Sequence, residues 1–169
     1  QILTIARFSW IKGIEYGLKA MSLLKEKGIE FEYRIIGDGD YEESIVYAIQ
    51  QLNLENEVKL LGRLSQKKII GEMQLADIYL QPSIDEGFCN AVLEAQAMGL
   101  LCIATDVGGL TENIIHEKTG WLVPKRSSDF IASKIIEVIQ LSIVQREEVI
   151  KQAIYRIKKD YNLSMQNKQ

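Results

Sequence analysis

Apolar residues along the chain fall into two alternating patterns, short runs rich in Ile, Leu, Val and Tyr and longer stretches in which they recur every three or four positions. The first pattern suits buried strands and the second the helix period. Ile2 to Ile5 reads as a strand, and residues 12–27 as a helix that repeats Ile14, Leu18, Met21 and Leu24 and stops at Gly28. A strand at 31–36 precedes a helix at 41–52. A strand at 58–61 precedes a helix from about 67 to 74, with Ser65 as its N-cap. Then come a strand at 78–80, a helix at 90–98 ended by Gly99, a strand at 101–104 and a short helix at 110–115. A sixth strand, Trp121 to Val123, stops at Pro124, and helices at about 129–140 and 144–158 complete the chain. Alternation of this kind predicts βα units around a parallel sheet, hence an α/β fold. No internal repeat, low-complexity segment or Pro/Gly/Ser linker divides the chain. The reading is one doubly wound domain over residues 1–169.

In such sheets ligands bind beyond the carboxyl ends of the strands, where loops meet helix N-termini. The first loop there, A-R-F-S-W-I-K-G, places Arg7 after the first strand and Lys12 at the start of the next helix. The two cations either form an anion pocket suited to a phosphate or are simply solvated at a helix start. The second, I-I-G-D-G-D-Y, holds Glu42 where a dinucleotide fingerprint needs its third glycine, which disfavours NAD. Its Asp38-Gly39-Asp40 reads either as a glycine turn capping a helix or as a D-x-D site for a divalent ion on a nucleotide diphosphate.

The fourth loop, P-S-I-D-E-G-F-C-N-A-V-L-E-A-Q-A-M-G, carries the most chemistry. Glu86 precedes a helix and Glu94 lies eight positions on, so both carboxylates are expected at one mouth with Arg7 and Lys12. Gly87 lets backbone approach a ligand, and the amides of Phe88, Cys89 and Asn90 lie at the helix N-terminus. Carboxylates accept from sugar hydroxyls, and amides favour a phosphate; together they suit a nucleotide sugar. Gly108-Gly109 in the next loop either exposes amides or merely joins strand to helix, with Glu112 following. His116 has no orienting partner in sequence and reads as a surface or capping residue.

Composition narrows the field. The 169 residues are 47% hydrophobic and 25% charged, and 20 Lys+Arg against 23 Asp+Glu leave a net charge of -3. That balance argues against a nucleic-acid partner, and any anion site must be local. Cys89 and Cys102 share no C-x-x-C spacing and His116 is the sole histidine, so a disulfide framework, zinc site or triad is not expected. Cys102 reads as a buried hydrophobe. No apolar stretch approaches the roughly 18 to 20 residues needed to span a bilayer. A cytoplasmic location is expected. Lys151, Arg156, Lys158 and Lys159 form a basic cluster, either a solvated helix face or a contact with anionic lipid at the inner membrane face. The chain opens on Gln1 inside a strand, which suggests a piece of a longer polypeptide.

Assembled in order, A-R-F-S-W-I-K-G, I-I-G-D-G, L-L-G-R-L, E-G-F-C-N-A-V-L-E-A-Q-A-M-G, A-T-D-V-G-G and T-G-W-L-V-P resemble the C-terminal, donor-binding domain of the retaining GT-B glycosyltransferases called "glycosyl transferases group 1". The likeness runs from Ile2 to about residue 161, and Glu86 and Glu94 match that family's E-x7-E motif. It implies a Rossmann-like domain, one half of a GT-B fold, with the N-terminal acceptor domain of the same polypeptide absent. It implies that Arg7 and Lys12 hold the donor diphosphate and stabilise the leaving group. Glu86 and the amides of Gly87, Phe88, Cys89 and Asn90 would position the transferred sugar, and Glu94 would bind ribose. Gly37, Gly39, Arg63 and Leu64 would lie near the base. The substrate would be a nucleoside-diphosphate sugar linked to UDP, GDP or ADP, with no metal or other cofactor, and the acceptor a glycan or lipid-linked glycan. Ala6, Cys89, Asn90 and Leu101 depart from the commonest family pattern; Ala6 and Leu101 are conservative backbone changes, whereas Cys89 and Asn90, expected beside the sugar, leave the donor open. Two other readings stand beside this one: a metal-dependent nucleotide-sugar enzyme using Asp38-Gly39-Asp40, and a nucleotide-binding module without catalysis.

Overall fold

The structure, a computed structural model, describes the backbone of residues 1–166 and side chains through residue 160. Strands β1 (Ile2–Ile5), β2 (Tyr33–Ile36), β3 (Val58–Gly62), β4 (Ile78–Gln81), β5 (Leu101–Thr105) and β6 (Trp121–Val123) form one sheet in the order β3-β2-β1-β4-β5-β6. Every pairing is parallel, with Ile2 opposite both Tyr33 and Ile78. Because side chains alternate across a strand, Leu101 and Ile103 enter one core while Cys102 and Ala104 enter the other. Both faces are therefore covered, as a parallel sheet requires.

Helices α1 (Ile14–Glu26), α2 (Glu42–Gln51) and α6 (Ser128–Ile139) supply Leu18, Met21, Ile45, Ile131 and Ile135 to one layer. Helices α3 (Gln66–Leu75), α4 (Asn90–Ala97) and α5 (Leu110–Asn113) supply Met73, Val92, Ala95 and Leu110 to the other, and α7 (Ile143–Gln166) packs along α4. The α/β architecture read from the periodicity is the one found.

Several boundaries move for identifiable reasons. The helix expected from Lys12 starts at Ile14, because residues Trp10–Lys12 form a 3₁₀ turn that ends on left-handed Gly13. Strand β2 starts at Tyr33 rather than at Phe31. Strands β3, β4 and β5 each run one residue beyond the apolar run, to Gly62, Gln81 and Thr105, since parallel pairing continues past it. Ser65 occupies the N-cap position of α3 but makes no side-chain cap hydrogen bond. α5 ends at Asn113 rather than at 115. Winding reverses between β1 and β4, so the loops after these strands leave toward opposite faces and open a crevice between them.

Candidate functional site

The crevice at this switch point is a cleft of about 690 Å³. Its walls include Arg7 and Lys12 from the loop after β1, Gly37, Asp38 and Gly39 from the loop after β2, Arg63 and Leu64 after β3, and Glu86 and Cys89 after β4. Segments far apart in the chain are held together by main-chain bonds. Phe8 N–H donates to the Asp38 carbonyl at 2.6 Å, and Ile84 N–H to the Ile11 carbonyl at 2.8 Å. A Cβ on Gly37 would lie 1.8 Å from the Ala6 carbonyl oxygen, so the first two loops meet this closely only with glycine there.

Glu86 is the best-connected group of the cleft. Lys12 Nζ lies 2.7 Å from both of its carboxylate oxygens. Ser83 Oγ donates to Glu86 Oε2 at 2.9 Å, and Gln81 Nε2 approaches the same oxygen at 3.3 Å while donating to Ser83 Oγ at 2.9 Å. Behind them the Tyr79 hydroxyl donates toward Gln81 Oε1 at 2.9 Å and the Ile5 carbonyl at 3.2 Å. Burial pushes the Tyr79 phenol well above its usual range, so it stays a proton donor. Gln81 and Ser83 are buried, their side chains bonded within this chain and the Ser83 carbonyl accepting from Thr105 Oγ1 at 2.6 Å. The sequence reading missed all three of Tyr79, Gln81 and Ser83. The available signal was a Gln closing an otherwise apolar strand.

Other site residues fall differently. Arg7 is exposed at the cleft wall and has no ion-pair partner among the described residues. Arg63 pairs with Asp38 at 3.0 Å, so one carboxylate of the D-G-D sequence faces a guanidinium. Asp40 lines the cleft and is exposed. Arg7, Lys12 and Glu86 line the cleft together, while Glu94 is exposed on α4 and is not among the lining residues. Gly87, Phe88 and Asn90 are exposed on the segment leading into α4.

Cys89 corrects an expectation. Its amide is not offered to a ligand but donates to Asn113 Oδ1 at 3.0 Å. Burial raises its thiol above the usual range and keeps it neutral. Asn113 is fully buried, and its Nδ2 has no partner among the described residues. Gly108 and Gly109 lie directly against the backbone of Glu86 and Gly87. Their role is this close packing, with the Gly109 N–H on the Glu86 carbonyl at 3.0 Å. His116 is exposed, and its Nδ1 accepts from Leu122 N–H at 3.0 Å. Of the basic cluster, Arg156 is half-buried rather than fully solvated: its guanidinium donates to the carbonyls of Asn113, at 2.7 Å, and Glu112, closing the end of α5. Both cysteines are free and buried. Among the described residues no group of three His, Cys, Asp or Glu could hold a metal ion, and no helix is long and apolar enough to cross a membrane.

A Rossmann-like α/β domain with a cleft at its switch point lined by charges of both signs, one of its carboxylates, Glu86, held by buried donors, is what the fold and site define. The chain belongs to the glycosyl transferases group 1 family, whose model matches residues 1–156. It is 30% identical over 175 residues to the putative colanic acid biosynthesis glycosyltransferase WcaL of Escherichia coli, a match that covers all of this chain and 43% of WcaL. A glycosyltransferase structure from Rickettsia africae superposes with a TM-score of 0.91 at 28% identity, over 98% of this chain and 45% of that one. The Anabaena protein Alr3699/HepE in complex with UDP-glucose shares the fold, with a TM-score of 0.88 at 23% identity over 97% of this chain and 45% of that one. The chain thus spans less than half the length of these relatives.

Proposed function

We propose that the chain is the donor-binding half of a retaining glycosyltransferase that takes a sugar from a nucleoside-diphosphate sugar, in which the sugar is linked to UDP, GDP or ADP. A second domain of the same polypeptide would bind the acceptor, a glycan or lipid-linked glycan. The observation that carries this reading is the meeting of Arg7, Lys12 and Glu86 in one cleft with the loops at Gly37–Gly39 and Arg63. Arg7 and Lys12 hold the diphosphate and stabilise the charge that develops on it as the leaving group departs. Glu86 accepts hydrogen bonds from the sugar, beside Gly87, Phe88 and Asn90. Cys89 contributes the cleft wall rather than an amide. Gly37, Gly39, Arg63 and Leu64 flank the base, and Glu94 reads the ribose from the exposed side of α4. Charge stabilisation comes from side chains and the α4 terminus, without a bound metal. The UDP-glucose bound to the Anabaena protein and the polysaccharide named for WcaL support donor and acceptor class.

Calorimetric titration of the chain with UDP, GDP, ADP and their sugars tests the reading. One base should bind, and Arg7→Ala and Lys12→Ala should each weaken it by about 1.5 to 3 kcal/mol, the size of a charge-assisted hydrogen bond. A chelator should leave the affinity unchanged. Transfer by the full-length parent should vanish with Glu86→Ala. Absence of nucleotide binding, or binding indifferent to both cation replacements, overturns the reading.

A further inference from the structure

An ammonium has three donors and no acceptor. In Lys12 two of these lie on Glu86, one on each oxygen, between side chains only 22% and 10% exposed. The two oxygens are otherwise unlike. Oε2 also accepts from Ser83 and Gln81, neutral donors in buried residues, whereas among the described residues Oε1 is engaged by Lys12 alone. One side of the carboxylate is therefore anchored independently of Lys12. The other is tied to a cation that also lines the cleft. An anion drawn toward Lys12 meets a cation already neutralised and a negative charge beside it. A hydroxyl carried in with the anion can donate to Oε1 and replace Lys12 there.

We propose that the Lys12–Glu86 pair makes the cleft discriminate between a sugar-bearing donor and the bare nucleoside diphosphate left after transfer. The inference rests on the cleft being the donor site. A bare diphosphate must either draw Lys12 away and leave Oε1 unpaired in a half-buried setting, or bind against the adjacent carboxylate; both are unfavourable. The donor releases Lys12 to its phosphates and repairs Oε1 with a sugar hydroxyl in the same event. Glu86 thus opposes one ligand and favours the other, which promotes release of the by-product. Ser83 and Gln81, backed by Tyr79, are positioning residues that keep Oε2 fixed as Lys12 changes partner.

The opposite signs provide the test. Glu86→Gln, nearly isosteric, is titrated calorimetrically beside the wild-type chain with inorganic pyrophosphate, with UDP, GDP and ADP, and with UDP-glucose, GDP-mannose and ADP-glucose. Pyrophosphate and the bound nucleoside diphosphate should bind about tenfold tighter to the variant, the scale of removing one like charge from a partly solvated cleft. The matching sugar nucleotide should bind more weakly. Ser83→Ala keeps the charge, so it should weaken the sugar nucleotide without tightening pyrophosphate, a split that general destabilisation does not produce. Parallel changes in both ligand classes, or no change, overturn the discrimination while leaving the donor site in place. A wild-type chain that binds none of the nucleotides overturns both.

Discussion

Gly108 holds φ at 44°, and a Cβ built on it would stand 2.0 Å from the Glu86 carbonyl oxygen. Gly108→Ala therefore adds left-handed strain to a direct clash, and should cost about 2 kcal/mol or more. In a domain of this size that lowers the melting temperature by about 4 to 8 °C. Because the clash falls on the backbone of Glu86 itself, nucleotide titration of the same variant should show weakened donor binding; an unchanged melting curve and affinity would mean that the two loops do not lean on each other. The glycine pair was visible in the sequence as a tight turn, but its partner was not, since Glu86 and Gly108 meet only through the adjacency of β4 and β5. Cys89 and Asn113 repeat the lesson: the bond that occupies the Cys89 amide joins residues 24 positions apart. Within its own short helix Asn113 looks like any polar residue, and nothing local signals that it is buried.

Where β2 begins, the Glu32 carboxylate accepts from Arg34 Nε at 2.5 Å and from Lys59 on β3, while Arg34 also donates to Glu72 of α3 at 2.6 Å. The hydrogen bond from Lys59, then that from Arg34, lowers the Glu32 carboxyl below its ordinary value of 4.5. A lowered folded-state pKa stabilises the protein above the unfolded value and is lost as pH falls through the folded one. Acidification below about 4.5 should therefore weaken the tie between β2, β3 and α3. Solvent screens the group, so the loss should be about 1 kcal/mol or less. Denaturant midpoints of Glu32→Gln, compared at neutral and acid pH, should show a shallower acid decline than the wild type; equal declines would remove the network from the account. At this scale most elements were legible, because Leu18, Met21 and Leu24 mark a helix face wherever it packs. The ends were less so. Gln81 reads as the polar stop after β4, yet pairing with Ala104 makes it the last residue of the strand, buried beside the carboxylate it serves.

Strand order is the property that local patterning does not contain. Alternating strands and helices imply a parallel sheet, but the crevice exists because β4 lies beside β1 on the side away from β2. That placement turns loops seventy-odd positions apart into two walls of one cleft, with Lys12 and Glu86 separated by 74 positions in sequence. It also means that a ligand touching both walls ties the β1–β3 half of the sheet to the β4–β6 half. A nucleotide sugar at about a hundred times its Kd should then stabilise the folded chain by roughly 2.7 kcal/mol. For a chain of this length that is a rise in melting temperature of about 5 to 10 °C. Lys12→Ala should abolish most of the rise at the same ligand concentration, measured against the variant's own ligand-free melting temperature, which should fall modestly because Glu86 Oε1 loses its partner. The pair it breaks is partly solvated, and the Glu86 carboxylate keeps Ser83 and Gln81 as donors. Hydrogen exchange gives the spatial counterpart. Amides in both the 6–13 and the 84–90 segments should slow together on ligand addition, because neither wall completes the site alone. Protection confined to one wall would show that the ligand does not bridge the switch point, and would separate the fold from the function assigned to it.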